Sequence, residues 1–354
     1  MNTRGVALFG LSVCAALSLL ASRSITTTGW LTETLLVFAP ILCAAAAART
    51  CFEGGLYNLG AEGQLYAGAV AAAGAGAALG GLGGGWLITA TCLFCAALGG
   101  CTLGWTAGAA RARLGMNEAV VTIMLNFIAI AIARFFASGP LRDTDSYGYP
   151  WTPPIPPGIR LGAILGIKQI PLGAVLAGGA TFFVLITLRS SRAGLELRAM
   201  GSNPEAAREM GIDTDKRAVL ALSLGGAVAG LGGGIELLGH QLRLSPFFSP
   251  GFGFTGLVAA VIAGSSATSL LASAFLLAVI RTALQTAERL VGLPSAASYV
   301  IQGAILMLAA TGESRSSRES RNWKIQASWH ARIFGLHRIK EAFKPPKSGR
   351  YDDP

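Results

Sequence analysis

Apolar residues gather into runs at roughly 5–22, 30–48, 65–83, 86–108, 119–137, 172–189, 217–239, 250–264, 270–288 and 299–312. Polar, charged or glycine-rich residues separate them. A straight helix needs about 20 apolar residues to cross the hydrocarbon layer, so these runs predict membrane-spanning helices. The run at 250–264 is too short for a comfortable crossing. It ends at Gly264-Ser265-Ser266, and Leu270 opens the next run. It predicts a broken or half-helix, which is tolerated where the backbone is buried in protein rather than lipid. The fold class expected is all-α: a polytopic membrane bundle of about ten crossing segments over residues 1–312, with a basic tail at 313–354. The first run follows Arg4 and lacks a clear small-x-small cleavage context, so it reads as a retained span.

Composition agrees with this pattern. Hydrophobic residues make up 52% of the chain and charged ones 13%, against about a quarter charged in soluble domains. Mean hydropathy is +0.55. A net charge of +10 raises the question of nucleic acid, but ten of the 28 basic residues follow Gly312 and many others border apolar runs. That distribution reports topology, not a nucleic-acid footprint. With ten crossings, Arg4, Arg49, Arg111, Arg113, six Lys/Arg from Arg189 to Arg217 and the tail fall on one side. Arg23, Arg142, Arg160, Lys168, Arg243 and Arg289 fall on the other, giving twenty against six. The richer side is cytoplasmic by the positive-inside rule, which places both termini there and makes this an inner (plasma) membrane protein.

Catalytic and metal chemistry find little support. Six cysteines lie in or beside apolar runs, and Cys92 and Cys95 have C-x-x-C spacing without polar context, so packing explains them. His240, His330 and His337 have no metal-ligand spacing. No nucleophile–base set or pair of carboxylates points to an enzyme.

Two loops are long. The first, Ser138 to Ile170, holds Pro140, Pro150, Pro153, Pro154, Pro156 and Pro157 and reads as an irregular surface segment. The second, Ser190 to Lys216, contains a compact helix signal. Asn203 suits the N-cap, Pro204 the first helical position, and Glu205 the positive helix end. Gly211 suits the position after the C-cap, with Ile212 packing back. A helix of under two turns is marginal alone in water. It either packs on its own chain or docks a partner.

Polar residues interrupt the apolar runs at two places. Glu118, Thr122 and Asn126 recur every four residues and share one helix face. In lipid such groups line a translocation path or tie helices together; for Asn126 both readings stand, and Glu118 reads as glue or a helix-end cap. Asn58, Glu62 and Gln64 lie in a stretch where Gly55, Gly60 and Gly63 permit bends, as in the broken helices of transporters. Glu62 is the leading candidate for a functional carboxylate, against a structural helix-terminus role. Phe52 and Tyr57 read as packing residues with a possible stacking role. Glu236 and His240 are four apart and suit a local pair.

Several segments carry a resemblance. These are Asn58-Leu59-Gly60-Ala61-Glu62-Gly63-Gln64, Asn117-Glu118 with Thr122-Ile123-Met124-Leu125-Asn126, Gly230-Leu231 through Glu236-Leu237-Leu238-Gly239, and Gly251-Phe252-Gly253-Phe254. Together with the 190–216 loop, they resemble the ABC importer permeases that serve branched-chain amino acids, simple sugars and nucleosides, nearest the nucleoside and simple-sugar branch. The resemblance runs in matching order over roughly residues 30 to 312 and leaves out the tail. It implies a substrate path with Asn58, Glu62, Gln64, Thr122 and Asn126 as candidates. It also implies a coupling segment at Gly201, Asn203, Pro204, Glu205, Ala206, Ala207 and Gly211 that engages cytosolic ATPase subunits. A second permease subunit, identical or different, and an extracytoplasmic binding protein received in part by the 138–170 loop are implied as well. Import is implied by the resemblance alone. No glycine is followed by lysine, so the phosphate-binding motif G-x-x-x-x-G-K-[ST] is absent and ATP must be used by a partner. The alternative is a secondary transporter or channel with no ATPase. In the tail, Ile325, Trp329, Ile333, Leu336 and Phe343 recur among Lys and Arg, which suits an amphipathic helix on the membrane surface or a disordered basic tail.

Overall fold

The computed structural model describes residues 27–291, apart from 84, 165, 166 and 265, and residues 300, 303 and 304. The first apolar run, all but residues 300, 303 and 304 of the last one, and the basic tail lie outside the described residues, as does Cys14. Ten α-helices occur among the described residues. In chain order they are α1 Thr27–Glu53, α2 Ala61–Leu79, α3 Gly85–Leu114, α4 Glu118–Ser138 and α5 Leu172–Ser190. Then come α6 Arg192–Ser202, α7 Pro204–Glu209, α8 Thr214–Glu236, α9 Phe252–Ala263 and α10 Ala267–Val291. A π-turn, Leu237–Gln241, extends α8. The 139–171 segment is irregular apart from a short 3-10 turn, Pro157–Ile159, and an antiparallel ribbon of β1 Ala163–Ile164 with β2 Ile167–Pro171. Among the described residues, six helices are long and apolar enough to cross a membrane, and α9 is a shorter apolar helix.

The centre of the bundle is α1. Residues 41–48, Ile-Leu-Cys followed by five alanines, are wholly buried. A helix apolar on every side belongs in a protein interior, and small side chains let neighbours approach from all directions. Accordingly α8, α9, α10 and α5 all pack on it. A Cβ added at Gly256 of α9 would lie 2.5 Å from the Ala44 side chain.

The most extensive helix pair is α3 with α8, and glycine sets it. Gly100 and Gly104 on α3 face Gly226, Gly230 and Leu222 on α8. A Cβ at Gly100 would lie 2.1 Å from the Gly226 carbonyl oxygen, and one at Gly104 would lie 2.1 Å from that of Leu222. Without a hydrophobic force between helices in lipid, such close backbone contact supplies the dispersion energy that holds them. The next turn repeats the pattern, because Gly68 of α2 abuts Gly230 and Gly233 of α8 abuts Leu65.

At the end of α5 opposite to α6, the proline-rich segment folds over the bundle. Thr152, Ile155 and Leu161 donate backbone N–H groups to the carbonyls of Leu244, Leu242 and Leu238, and Arg243 pairs with Asp143 at 3.1 Å. Tyr149 stacks on Trp151 beside Arg243. Cys43, Cys51 and Cys92 are buried free thiols within the helices, as packing residues are.

Overpacking a closed contact costs about 1–3 kcal/mol, and more where backbone blocks relaxation. Gly104→Leu and Gly230→Leu are therefore expected to abolish the monodisperse protein on size-exclusion chromatography. Gly179→Leu, on the open face of α5, is expected to leave the peak unchanged.

Candidate functional site

The polar residues from two separate runs meet at a single break. Helix α1 ends at Glu53, a turn follows through Gly54 and Gly55, and five non-helical residues lead to α2. Gly55 adopts φ +67°, a conformation that glycine takes without strain. Buried backbone in such a break needs partners, and the named side chains supply them. Asn58 Oδ1 accepts from Gly60 N–H at 3.0 Å, and Asn58 exchanges paired amide bonds with Gln64 at 3.0 and 3.2 Å.

From α4, Asn126 Oδ1 accepts from Gly63 N–H at 2.8 Å, while its amide donates to Leu59 C=O at 2.9 Å. Thr122 Oγ1 accepts from Leu59 N–H at 3.2 Å and donates to Glu118 C=O at 2.8 Å. Asn58, Glu62, Gln64, Thr122 and Asn126 are all buried. Thus the structure brings four of the five path candidates, Asn58, Gln64, Thr122 and Asn126, together around the break, each bonded within the chain. Gly60 and Gly63 leave room for α4, since a Cβ at Gly63 would lie 2.7 Å from Asn126 Cα. Glu118 pairs with Arg111 at the end of α3, and Asn117 caps α4 through the N–H groups of Ala119 and Val120.

Glu62 belongs to a second constellation. Its carboxylate accepts from Gly253 N–H at 2.7 Å, at the first turn of α9. Ser249 Oγ accepts from Phe252 N–H at 3.1 Å, and Tyr66 positions Ser249 through its backbone. The helix-terminus role is therefore the one the geometry shows. It also places a carboxyl acceptor beside the first turns of both α2 and α9.

Two arginines complete this arrangement, and the sequence reading gave neither a role. Arg281, buried in α10, lies over the Phe252 ring at 5.3 Å and acts electrostatically on Glu62. Arg49 donates to Gly264 C=O at the far end of α9 and pairs with Glu53. For Arg281 the available signal was an arginine inside the 270–288 run, whereas Arg49 lies just past the end of the 30–48 run. Phe52 and Tyr57 meet edge to face, consistent with packing. Glu236 and His240 form their local pair at 2.7 Å within the π-turn, joined by Gln241. Among the described residues no cluster of His, Cys, Asp or Glu suits a metal.

The 190–216 loop holds two helices, not one. Ser191 caps α6 by accepting from Gly194 N–H at 3.0 Å, and Glu196 binds Arg192 and Arg217. The sequence reading missed α6 because its alternating charges resemble a solvated loop. Its apolar positions, Leu197 and Met200, acquire meaning only against the α1 end and α8. Helix α7 starts as the residues dictate, with Asn203 Oδ1 accepting from Glu205 and Ala206 N–H. It stops with Ile212 N–H on Ala207 C=O and Gly211 N–H on Arg208 C=O, a Schellman pair that uses φ +81° at Gly211. Ala207 is fully buried among Leu197, Met200 and Leu222, whereas Glu205, Arg208, Glu209 and Met210 are exposed.

A buried N–H left without its acceptor costs about 1–3 kcal/mol. Glu62→Ala is thus expected to lower the melting temperature in detergent clearly, and Glu62→Gln, which keeps an acceptor for Gly253, to lower it less. Equal stability of Glu62→Ala and wild type contradicts the cap.

Comparison with known proteins bears on what this arrangement serves. Residues 30–310 match the family model described as branched-chain amino acid transport system / permease component. The chain is 30% identical to the glucose ABC transporter permease protein TsgB13 of Haloferax volcanii, over 87% of this chain and 84% of that protein. It is 29% identical to the guanosine ABC transporter permease protein NupP of Bacillus subtilis, over 79% and 80%. It is 26% identical to the nucleoside ABC transporter permease protein NupB of Lactococcus lactis, over 78% of each. The chain belongs to the branched-chain amino acid transport system / permease component family and is a multi-pass permease subunit of an ABC importer.

Proposed function

We propose that this permease forms the translocation path for a nucleoside or a simple sugar, driven by separate cytosolic ATPase subunits that dock on α7. The observation that carries the docking is the construction of α7. It has six residues, too few to persist alone, yet both ends are capped and Ala207 anchors it to the bundle. What remains outward is a compact face of two acids, one base and a 70% exposed methionine. Fixed backbone with mixed charge and an apolar centre is the anatomy of a docking surface. Gly201, Asn203, Pro204 and Ala206 set the bend and the start of this helix, and Gly211 its end.

The substrate class is supported by the glucose, guanosine and nucleoside permeases among the relatives. On this reading the Asn58–Gln64 break and its α4 clamp position the path rather than touch the solute, because their polar groups are already bonded within the chain. This chain binds no cofactor of its own, and ATP is held by the partner. The α7 side faces the cytoplasm, together with both termini. The 139–171 segment faces outward, where a substrate-binding protein meets it, and a second permease, identical or homologous, completes the path.

Co-expression with candidate ATPase subunits tests the docking. Wild type is expected to retain ATPase through purification, and Glu205→Arg with Glu209→Arg to lose it while keeping the same size-exclusion peak. Retention by the double variant would place the docking surface elsewhere. Uptake of radiolabelled guanosine and glucose by the reconstituted complex tests the substrate class, with uptake of neither as the contrary result.

A further inference from the structure

We propose that Gly201 is a positioning residue for transport: through its contact with the Glu53–Gly55 turn, the α6–α7 pair sets the position of the half-helix α9, which acts as the gate. This rests on the docking reading above. A Cβ at Gly201 would lie 2.3 Å from the Glu53 carbonyl oxygen and 3.0 Å from Gly55 N. One at Gly54 would lie 2.5 Å from the Leu197 side chain. At Gly201 backbone therefore presses directly on backbone, while at Gly54 the Leu197 and Met200 side chains fill the contact.

From that turn two routes reach α9, one to each end. Glu53 pairs with Arg49, and Arg49 holds Gly264 C=O at the C-terminal end. Gly55 leads through the short clamped segment to Glu62, which holds Gly253 N–H at the N-terminal end. Helix α9 is itself bounded by Gly251 at φ +93° and Gly264 at φ +58°. Both conformations are reserved largely for glycine, and such residues absorb the backbone changes of a hinge. A rigid segment gripped at both ends, with a glycine at each joint, moves as a body when its grips move. Packing is discrete rather than continuously deformable, so a small shift at Gly201 has somewhere definite to go.

The test follows α9 itself and requires no knowledge of the transported solute. Val261, 37% exposed on α9, is replaced by cysteine in an otherwise cysteine-free chain that still retains ATPase. Its maleimide labelling rate is compared in the nucleotide-free and ATP–vanadate states. The rate is expected to change about fivefold or more in the parent. That change is expected to vanish in Gly201→Ala and in Arg49→Gln, the latter still retaining ATPase. Arg49→Gln cuts one grip at a residue of α1 rather than of α6 or α7, so it decides the matter if Gly201→Ala fails to assemble. An unchanged labelling rate in the parent, or a full response in Arg49→Gln, overturns the proposal. If the wild-type chain holds no ATPase at all, the docking reading fails instead.

Discussion

A helix that begins inside a membrane protein leaves its first N–H groups without water, and α9, whose Phe252 and Gly253 are buried, is such a helix. Its 12 residues span about 18 Å at 1.5 Å per residue, well short of the ~30 Å hydrocarbon layer. Unpaired, each buried terminal group costs free energy comparable to a lost hydrogen bond. Glu62 and Ser249 meet one end and Arg49 meets the other. The groups suit the polarity of a helix, an acidic acceptor at the N-terminal turn and a guanidinium donor at the C-terminal carbonyl. Arg281 and Glu53 balance these charges in turn. Such a chain of partners is what keeps ionised groups tolerable away from water.

That requirement shapes the chain around it. Glu62 reaches Gly253 because the chain returns from the turn at the end of α1 as five non-helical residues before α2 begins. This break creates backbone demands of its own, met by Asn58, Gln64, Thr122 and Asn126. The close α3–α8 and α2–α8 contacts hold the surrounding helices at fixed distances, and the small residues of α1 let α9 sit against the bundle centre. The glycines divide into two kinds. Those at the helix contacts give proximity, and Gly55, Gly211, Gly251 and Gly264 give positive-φ backbone that glycine adopts with least strain.

In function, the two halves of the molecule meet at the α1–α2 turn. On one side of it lies a short capped helix with an exposed charged face; on the other lies the half-helix with its charged grips. An ABC permease must convert events at a distant ATP site into movement within the membrane, and conversion of this kind needs stiff contacts rather than exposed lysines or loose loops. The sequence similarity to glucose and guanosine permeases and the contact geometry thus bear on different questions. The first identifies the class of machine, and the second identifies which residues are rigidly joined within it.

Much of this was legible in the residues alone. Eight of the apolar runs lie on described helices, because burial of apolar side chains and internal backbone bonding are both local demands in lipid. The half-helix at 250–264 and the start and stop of α7 were legible for the same reason, since caps act within a few residues. The unusual polar residues inside apolar runs also marked the right places. Their roles were not legible. Glu62 acts on a residue 191 positions away and Asn126 on one 63 positions away, and no local pattern states such pairings. Helix α6 escaped notice because its apolar face has meaning only against α1 and α8. Sequence determined which segments enter the membrane and where helices start and stop, because those choices are governed by local hydrogen bonds and hydration. Only tertiary structure decided that the buried acid and the two arginines serve the ends of one short helix, because a charge in a dry interior is assigned its partner by whatever the fold brings near.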